Sequence, residues 1–174
     1  TILDHIDSGH MALPVFQRGY VWNSDQVRKL FTSLYHRRPV GGLLVWATES
    51  KTTAHRGEGP LPAGVVKLLH DGQQRMTSIY GVVRGKPPQF FDGNIRVFTG
   101  LRFHIDAQTF EFYQPVKMQD DPLWIDVTAL MRKGTAGLGE FVDRLVSQPA
   151  LAANVGEYVG RLSRLLGATD VDLH

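Results

Sequence analysis

Cysteine is absent from the 174 residues of the chain. This absence excludes disulfides, thiolate metal sites and cysteine nucleophiles. No apolar run approaches the length that crosses a bilayer, so we expect no membrane span. The formal net charge is only +2 although the chain carries 19 Lys and Arg residues. Any nucleic-acid surface must therefore come from local clustering of basic side chains.

Several catalytic motifs are also missing. No Gly-x-x-x-x-Gly-Lys-Ser/Thr loop occurs, which excludes a P-loop mechanism. The seven histidines show no pair at zinc-ligand spacing, and no nucleophile elbow supports Ser-His-Asp chemistry. An enzymatic reaction in this chain must use another arrangement of residues.

The overall composition of the chain is typical of a globular protein, with 43% hydrophobic and 21% charged residues. We expect one main domain over residues 1–130 and a helical extension over residues 131–174, because the pattern becomes helical from Thr128 onward. The sequence starts without Met and shows no secretory signal, so we expect a piece of a longer, cytoplasmic protein.

The stretch from Val65 to Tyr80 organises the chain. Its first residues form an apolar run rich in Val and Leu, which predicts a buried strand. Met76, Ile79, Tyr80 and Val83 then recur at the spacing of one helix face. The polar residues 71–75 therefore lie where a strand becomes a helix.

The residue types at this junction suit an anion. Asp71 followed three residues later by Gln74 matches a capping box, which predicts that the helix begins there. Free N–H groups at a helix N-terminus favour negative charge, and Arg75 in the first turn adds a guanidinium that can bind phosphate through two N–H groups. The alternative is that Asp71 only caps the helix and that Arg75 only lies in solvent.

Other elements are predicted around this junction. A first helix ends at Gly9, and a short edge strand over residues 12–16 contains Pro14. Asn23 and Gln26 form a second capping-box pattern before a helical stripe that runs to Tyr35.

Further strands follow these helices. Residues 43–46 are apolar and predict a buried strand, followed by a loop over residues 47–64. Residues 95–105 and 110–113 predict a hairpin, and residues 123–127 predict one more strand. The pattern is that of an α+β protein with a mixed sheet and a C-terminal helical annex.

Three of these motifs resemble a known family. The motif Asp-Gly-Gln-Gln-Arg at residues 71–75 resembles the signature of the N-terminal domain of GmrSD-type restriction proteins. Residues 13–22 (LPVFQRGYVW) resemble the second family signature, and residues 38–46 (RPVGGLLVW) resemble the strand entry between the two. The order and spacing agree, and the resemblance covers roughly residues 1–130.

The resemblance implies a ParB/sulfiredoxin-like α+β fold and nucleoside triphosphate hydrolysis at the first motif, although the cysteine-dependent sulfiredoxin reaction is impossible here. It implies that Asp71, Gln74 and Arg75 are catalytic, that Asp71 holds Mg²⁺, and that Gln73 or Gln74 orients the attacking water. The implied nucleotide-binding residues are Asp71, Gly72, Gln73, Gln74, Arg75 and Thr77.

The second motif is the candidate DNA-binding site. Aromatic rings interleaved with Gln and Arg offer apolar surface beside hydrogen-bond donors, which suits nucleic acid. The residues expected to contact DNA are Pro14, Phe16, Gln17, Arg18, Gly19, Tyr20 and Trp22. In phosphorothioate-sensing relatives this motif is associated with modified DNA, and Phe16 here stands where a tyrosine is common. The alternative is that Tyr20 and Trp22 are core residues.

Taken with the resemblance, these residues favour an NTP-hydrolysing sensor of modified DNA in an anti-phage restriction system. Its expected partners are DNA, a nucleoside triphosphate with Mg²⁺, and a nuclease domain in the same chain or in a partner protein. Two alternatives remain open: a non-hydrolysing DNA-binding or adaptor module of the same fold, and a small-molecule phosphotransferase.

Overall fold

The structure is a computed structural model that describes residues 1–14, 17–49, 55 and 60–170. Its helices are α1 (Ile2–Asp7), α2 (Ser24–Tyr35), α3 (Gln73–Arg84), α4 (Pro115–Met118), α5 (Val127–Lys133), α6 (Leu138–Val146), α7 (Pro149–Ala152) and α8 (Val155–Leu166). Its strands are β1 (Met11–Ala12), β2 (Leu44–Glu49), β3 (Val65–Asp71), β4 (Leu101–His104), β5 (Thr109–Phe112) and β6 (Trp124–Asp126).

The described strands form two three-stranded sheets. In the first sheet, β3 lies in the centre, parallel to β1 and antiparallel to β2. The second sheet is antiparallel throughout, in the order β5-β4-β6. Helices and strands are mixed along the chain, which confirms the predicted α+β class, and the first sheet is mixed as expected.

Helix α2 separates two hydrophobic clusters. Its residues Val27, Phe31 and Tyr35 belong to the cluster that includes β4, β5 and β6, whereas Leu30 and Leu34 belong to the cluster that includes α1 and most of α3. The stripe predicted from the sequence therefore faces apolar neighbours on two sides. The helix begins where predicted, because the Asn23 and Gln26 side chains each accept from the other residue's backbone N–H at 3.0 Å.

Helices α6 and α8 pack on the second sheet. Phe141, Leu145, Tyr158, Leu162 and Leu165 are buried in the same cluster as the β4 and β5 side chains. The helical pattern predicted after Thr128 is thus present, and it covers the sheet rather than standing apart from it. The boundary between residues 130 and 131 stays a prediction.

Two predicted strands differ in extent from the observed ones. The strand expected over residues 12–16 is the two-residue β1; Pro14 forms only an isolated bridge to His55, since proline has no N–H for a ladder. Val15 and Phe16 lie outside the described residues. The hairpin is present, but its first strand begins at Leu101, because residues 95–97 form a 3₁₀ turn.

The expectation of a buried strand at residues 43–46 is wrong. Strand β2 runs from Leu44 to Glu49, and its side chains at Leu44 and Trp46 are 63% and 61% exposed. The reason is its place at the sheet edge, where apolar composition alone does not bury a strand.

Within the described ranges, every helix is too short or too polar to span a membrane.

Candidate functional site

The strand-to-helix junction predicted from the sequence is present. Strand β3 ends at Asp71, α3 begins at Gln73, and Gly72 between them is the N-cap in the left-handed conformation, with φ 89°. The predicted Asp71–Gln74 capping box is wrong, because Asp71 is still part of the strand and Gly72 has no side chain to cap with. No described side chain caps this helix, so its first N–H groups remain available to a ligand.

Arg75 binds the loop that joins α2 to β2. Its Nη1 donates to the carbonyl oxygen of Val40, and its Nη2 donates to that of Gly42 at 2.7 Å. Nη2 also lies 3.3 Å from Oδ2 of Asp71. The Arg75 side chain is only 15% exposed, whereas that of Asp71 is 72% exposed. The arginine is therefore a partly buried cation bound to the loop, and not a free side chain in solvent.

Two glycines permit this arrangement. A Cβ atom at Gly41 would lie 2.4 Å from Nη1 of Arg75. A Cβ atom at Gly72 would lie 2.2 Å from Cδ2 of Leu43 and 3.2 Å from Nη2 of Arg75. Both residues also have positive φ. The guanidinium can reach the loop only because the backbone on both sides carries no side chain.

The Gln74 side chain connects the two sequence motifs. Its Oε1 accepts from the backbone N–H groups of Val21 and Trp22 at 2.8 and 3.2 Å, and its Nε2 donates to the carbonyl of Gly19 at 3.2 Å. The side chain is 8% exposed. Gln74 thus positions the backbone of the second motif.

Two further glutamines make similar bonds. Nε2 of Gln73 donates 2.8 Å to the carbonyl of Arg18, and Nε2 of Gln17 donates 2.8 Å to the carbonyl of His70. The carbonyl partners require a donor, so the orientation of both amides is defined. Oε1 of Gln73 accepts no hydrogen bond from the described residues and remains available to a ligand or water.

The two described aromatic residues of the second motif, Tyr20 and Trp22, are packed inward. The Tyr20 ring lies 5.4 Å from that of Phe91, and its hydroxyl is 2.7 Å from Oγ of Ser78. Burial raises the pKa of Tyr20, and the bond to Ser78 opposes that shift only in part. Trp22 is partly buried against the cluster of α1 and α3. Arg18, by contrast, is exposed.

A cavity of about 240 Å³ opens where the two motifs meet. It is lined by Gln17, Arg18, Trp22, His70, Asp71, Gly72, Gln73, Gln74 and Arg75. The structure thus brings together five of the six predicted nucleotide-binding residues and three of the seven predicted DNA-binding residues, although the two sets are far apart in sequence.

Several predicted site residues do not line this cavity. Thr77 is 2% exposed in the second turn of α3, about 6 Å further along the helix axis than Gln73, so its predicted contact with nucleotide is not supported. Pro14 is buried, and Gly19 and Tyr20 are partly buried and are not among the lining residues. Phe16 lies outside the described residues.

The loop at Val40–Gly42 belongs to the candidate site, a role that the sequence pattern did not predict for it. It supplies the carbonyl partners of Arg75. The adjacent glycines Gly41 and Gly42 were a usable signal, since paired glycines mark close backbone approach. Their contact with an arginine more than thirty residues away was not visible in the local pattern.

Among the lining residues, Asp71 is the one carboxylate. In the part of the chain that the structure describes, no three His, Asp or Glu side chains cluster as metal ligands. A metal in this cavity would therefore take most of its ligands from a bound phosphate and from water, which is the usual arrangement for Mg²⁺.

Comparison with known proteins gives one family. No curated protein matches the chain. The family model described as GmrSD restriction endonuclease, N-terminal domain, matches residues 1–138, which is more than half of the chain and includes both motifs and the loop between them. The chain therefore belongs to the family of GmrSD restriction endonuclease N-terminal domains and is a restriction-system module.

Proposed function

We propose that this domain hydrolyses a nucleoside triphosphate under the control of DNA, and thereby regulates a nuclease carried on a separate domain. The observation that carries the proposal is the uncapped N-terminus of α3, which opens into a polar cavity shared with the second motif. Its proposed place is an anti-phage system that recognises modified DNA, and hence the cytoplasm, where both DNA and nucleotide are present.

The phosphates would bind at the first turn of α3. Free N–H groups and the positive end of the helix dipole favour negative charge there. Arg75 adds a full positive charge at the same turn while its N–H groups hold Val40 and Gly42. In this proposal Arg75 positions the loop and supplies positive charge. It does not bind the phosphate through both terminal nitrogens, because these are bonded to the loop.

Asp71 is the residue that fits a magnesium ion. Its carboxylate is 72% exposed beside the cavity, with one described contact to Arg75. Mg²⁺ is commonly held by one or two carboxylates together with phosphate oxygens and water. When bound, the ion would supply positive charge to the phosphate oxygens. Asp71 in turn would orient that ion or its bound water.

The two glutamines have different roles in the proposal. Gln74 uses both ends of its amide on the backbone of residues 19–22, so it acts as a positioning residue. Oε1 of Gln73 is available beside the same turn and can accept a hydrogen bond from the water that attacks the terminal phosphorus. We therefore assign the water-orienting role to Gln73.

DNA would lie along the second motif. Arg18 is exposed at the cavity edge and can bind a backbone phosphate, and Gln17 lines the same wall. Tyr20 packs against Phe91, and Trp22 lines the cavity beside this segment. A phosphorothioate sulfur is more weakly hydrated than oxygen, so an apolar surface beside a donor would favour it.

A second candidate function is binding of phosphate without hydrolysis. It is favoured by one observation: Arg75 and Gln74 are both engaged in internal hydrogen bonds, which leaves few side chains free for catalysis. In that case the domain would be an adaptor that keeps the fold and the phosphate cavity.

Phosphate release distinguishes these candidates. The purified domain is incubated with Mg²⁺ and each nucleoside triphosphate, alone, with unmodified duplex and with phosphorothioate duplex. Turnover that changes with DNA supports the proposed function. Nucleotide binding without turnover under all three conditions supports the adaptor, and equal turnover with both duplexes contradicts modification sensing.

A further inference from the structure

Trp46 presents an aromatic face beside the candidate site. It lies on the edge strand β2 and is 61% exposed. Its ring centroid is 5.8 Å from that of His70, with the planes inclined at 43°. His70 lines the cavity at the end of β3. The indole is therefore separated from the cavity by one residue.

The cavity is too small to enclose a whole nucleotide. Pockets that enclose a small molecule usually have volumes of roughly 300–1,000 Å³, and this cavity has about 240 Å³. Its lining is polar and includes the N-terminus of α3, which suits phosphate groups. A base attached to those phosphates would have to find its own surface beyond the cavity mouth.

We infer that Trp46 stacks against the base of the nucleotide whose phosphates occupy this cavity. The inference rests on the proposed function, because it takes the phosphate position from it. A flat, largely exposed indole beside a polar phosphate cavity offers what a base requires, since every base has a π-face and stacking needs no hydrogen-bond readout.

Among the residues that the structure describes, the other aromatic side chains of the second motif are already packed. Trp22 lines the cavity, but it is partly buried against the core, and its backbone N–H is bound to Gln74. Tyr20 is packed against Phe91. Trp46 has the exposed face that these two lack.

Binding of nucleotide and of inorganic triphosphate tests the inference. Affinities of the four ribonucleoside triphosphates and of triphosphate are measured for the wild-type domain, Trp46→Ala, Trp46→Phe and the control Val65→Ala. Val65 is 61% exposed at the far end of the same sheet, opposite Glu49. A single-stranded oligonucleotide forms a further arm, because its bases are the other source of an aromatic ligand.

Trp46→Ala is expected to weaken nucleoside triphosphate binding roughly tenfold to a hundredfold, and to leave triphosphate binding unchanged. Trp46→Phe keeps part of the effect, and Val65→Ala has none. Unchanged nucleotide affinity in Trp46→Ala overturns the inference, as does a loss confined to the oligonucleotide. If the wild-type domain binds neither nucleotide nor triphosphate, the proposed function fails and the stacking role fails with it.

Discussion

Nη2 of Arg75 lies 3.3 Å from Oδ2 of Asp71, yet the two side chains have opposite environments: the arginine is 15% exposed and the aspartate 72%. The difference follows from the carbonyl oxygens of Val40 and Gly42, which accept hydrogen bonds from the guanidinium but cannot bond a carboxylate, since both groups are acceptors. Substitutions at the two positions should therefore separate structural from chemical roles.

Arg75→Ala should destabilise the domain by about 2–4 kcal/mol. The substitution leaves the carbonyls of the Val40–Gly42 loop without their charged donor, and bonds to charged groups are each worth roughly 1.5–3 kcal/mol. Urea denaturation measures the change. Arg75→Lys should recover only part of it, because an ammonium cannot reproduce the planar fork. Wild-type stability in Arg75→Ala would show that the loop does not depend on the arginine.

Gln74→Met should destabilise the domain by about 2–3 kcal/mol, because it removes the partners of Val21, Trp22 and Gly19 at similar side-chain volume. Hydrogen exchange should also become faster at the backbone of residues 19–22. Gln89 is exposed, so Gln89→Met serves as the matched control and should stay within about 0.5 kcal/mol. If hydrogen exchange at residues 19–22 is as slow in Gln74→Met as in the wild type, the positioning role is contradicted.

Gly72→Ala should cost about 2–4 kcal/mol, because the new Cβ would meet Leu43 at 2.2 Å and the backbone has φ +89°. Adding Leu43→Ala should restore the stability lost through the clash with the Leu43 side chain. It should not restore the stability lost because alanine is strained at a φ of +89°. Gly139, in helix α6 with no atom within 4 Å of its Cβ position, is the control. Gly139→Ala should be neutral or slightly stabilising.

Arg18→Ala should weaken DNA binding without loss of stability. Its side chain is exposed, so the free energy of unfolding should change by less than about 0.5 kcal/mol. If it binds one backbone phosphate, the slope of log K against log salt should fall in magnitude by about 1, uniformly across DNA sequences. An unchanged slope would remove Arg18 from the DNA interface.

The elements nearest the site could be predicted because their signals are local. The Asn23 capping box and the stripe that follows it specify α2, and the apolar run before Asp71 specifies β3. The α+β class follows from this alternation. Prediction erred where a neighbour decides the outcome, as at Trp46, whose exposure depends on strand order and not on its own sequence.

The proximity of the candidate site residues could be predicted better than the contacts that they make. Residues 71–75 and 17–22 do meet, but the glutamines bind backbone groups more than fifty residues away, and Arg75 binds a loop. Such contacts depend on tertiary placement, which residue spacing cannot show. The missing capping box at Asp71 has the same origin, since the length of β3 decides which residue is the N-cap.

The most direct test compares phosphate release by the wild-type domain and Asp71→Asn, with Mg²⁺, nucleoside triphosphate and DNA. Asn keeps the shape of the exposed side chain and removes its charge, so stability should be unchanged while turnover falls roughly a hundredfold or more. Urea denaturation of both proteins provides the stability control. Wild-type turnover in Asp71→Asn, with the fold intact, would contradict nucleotide hydrolysis at this junction.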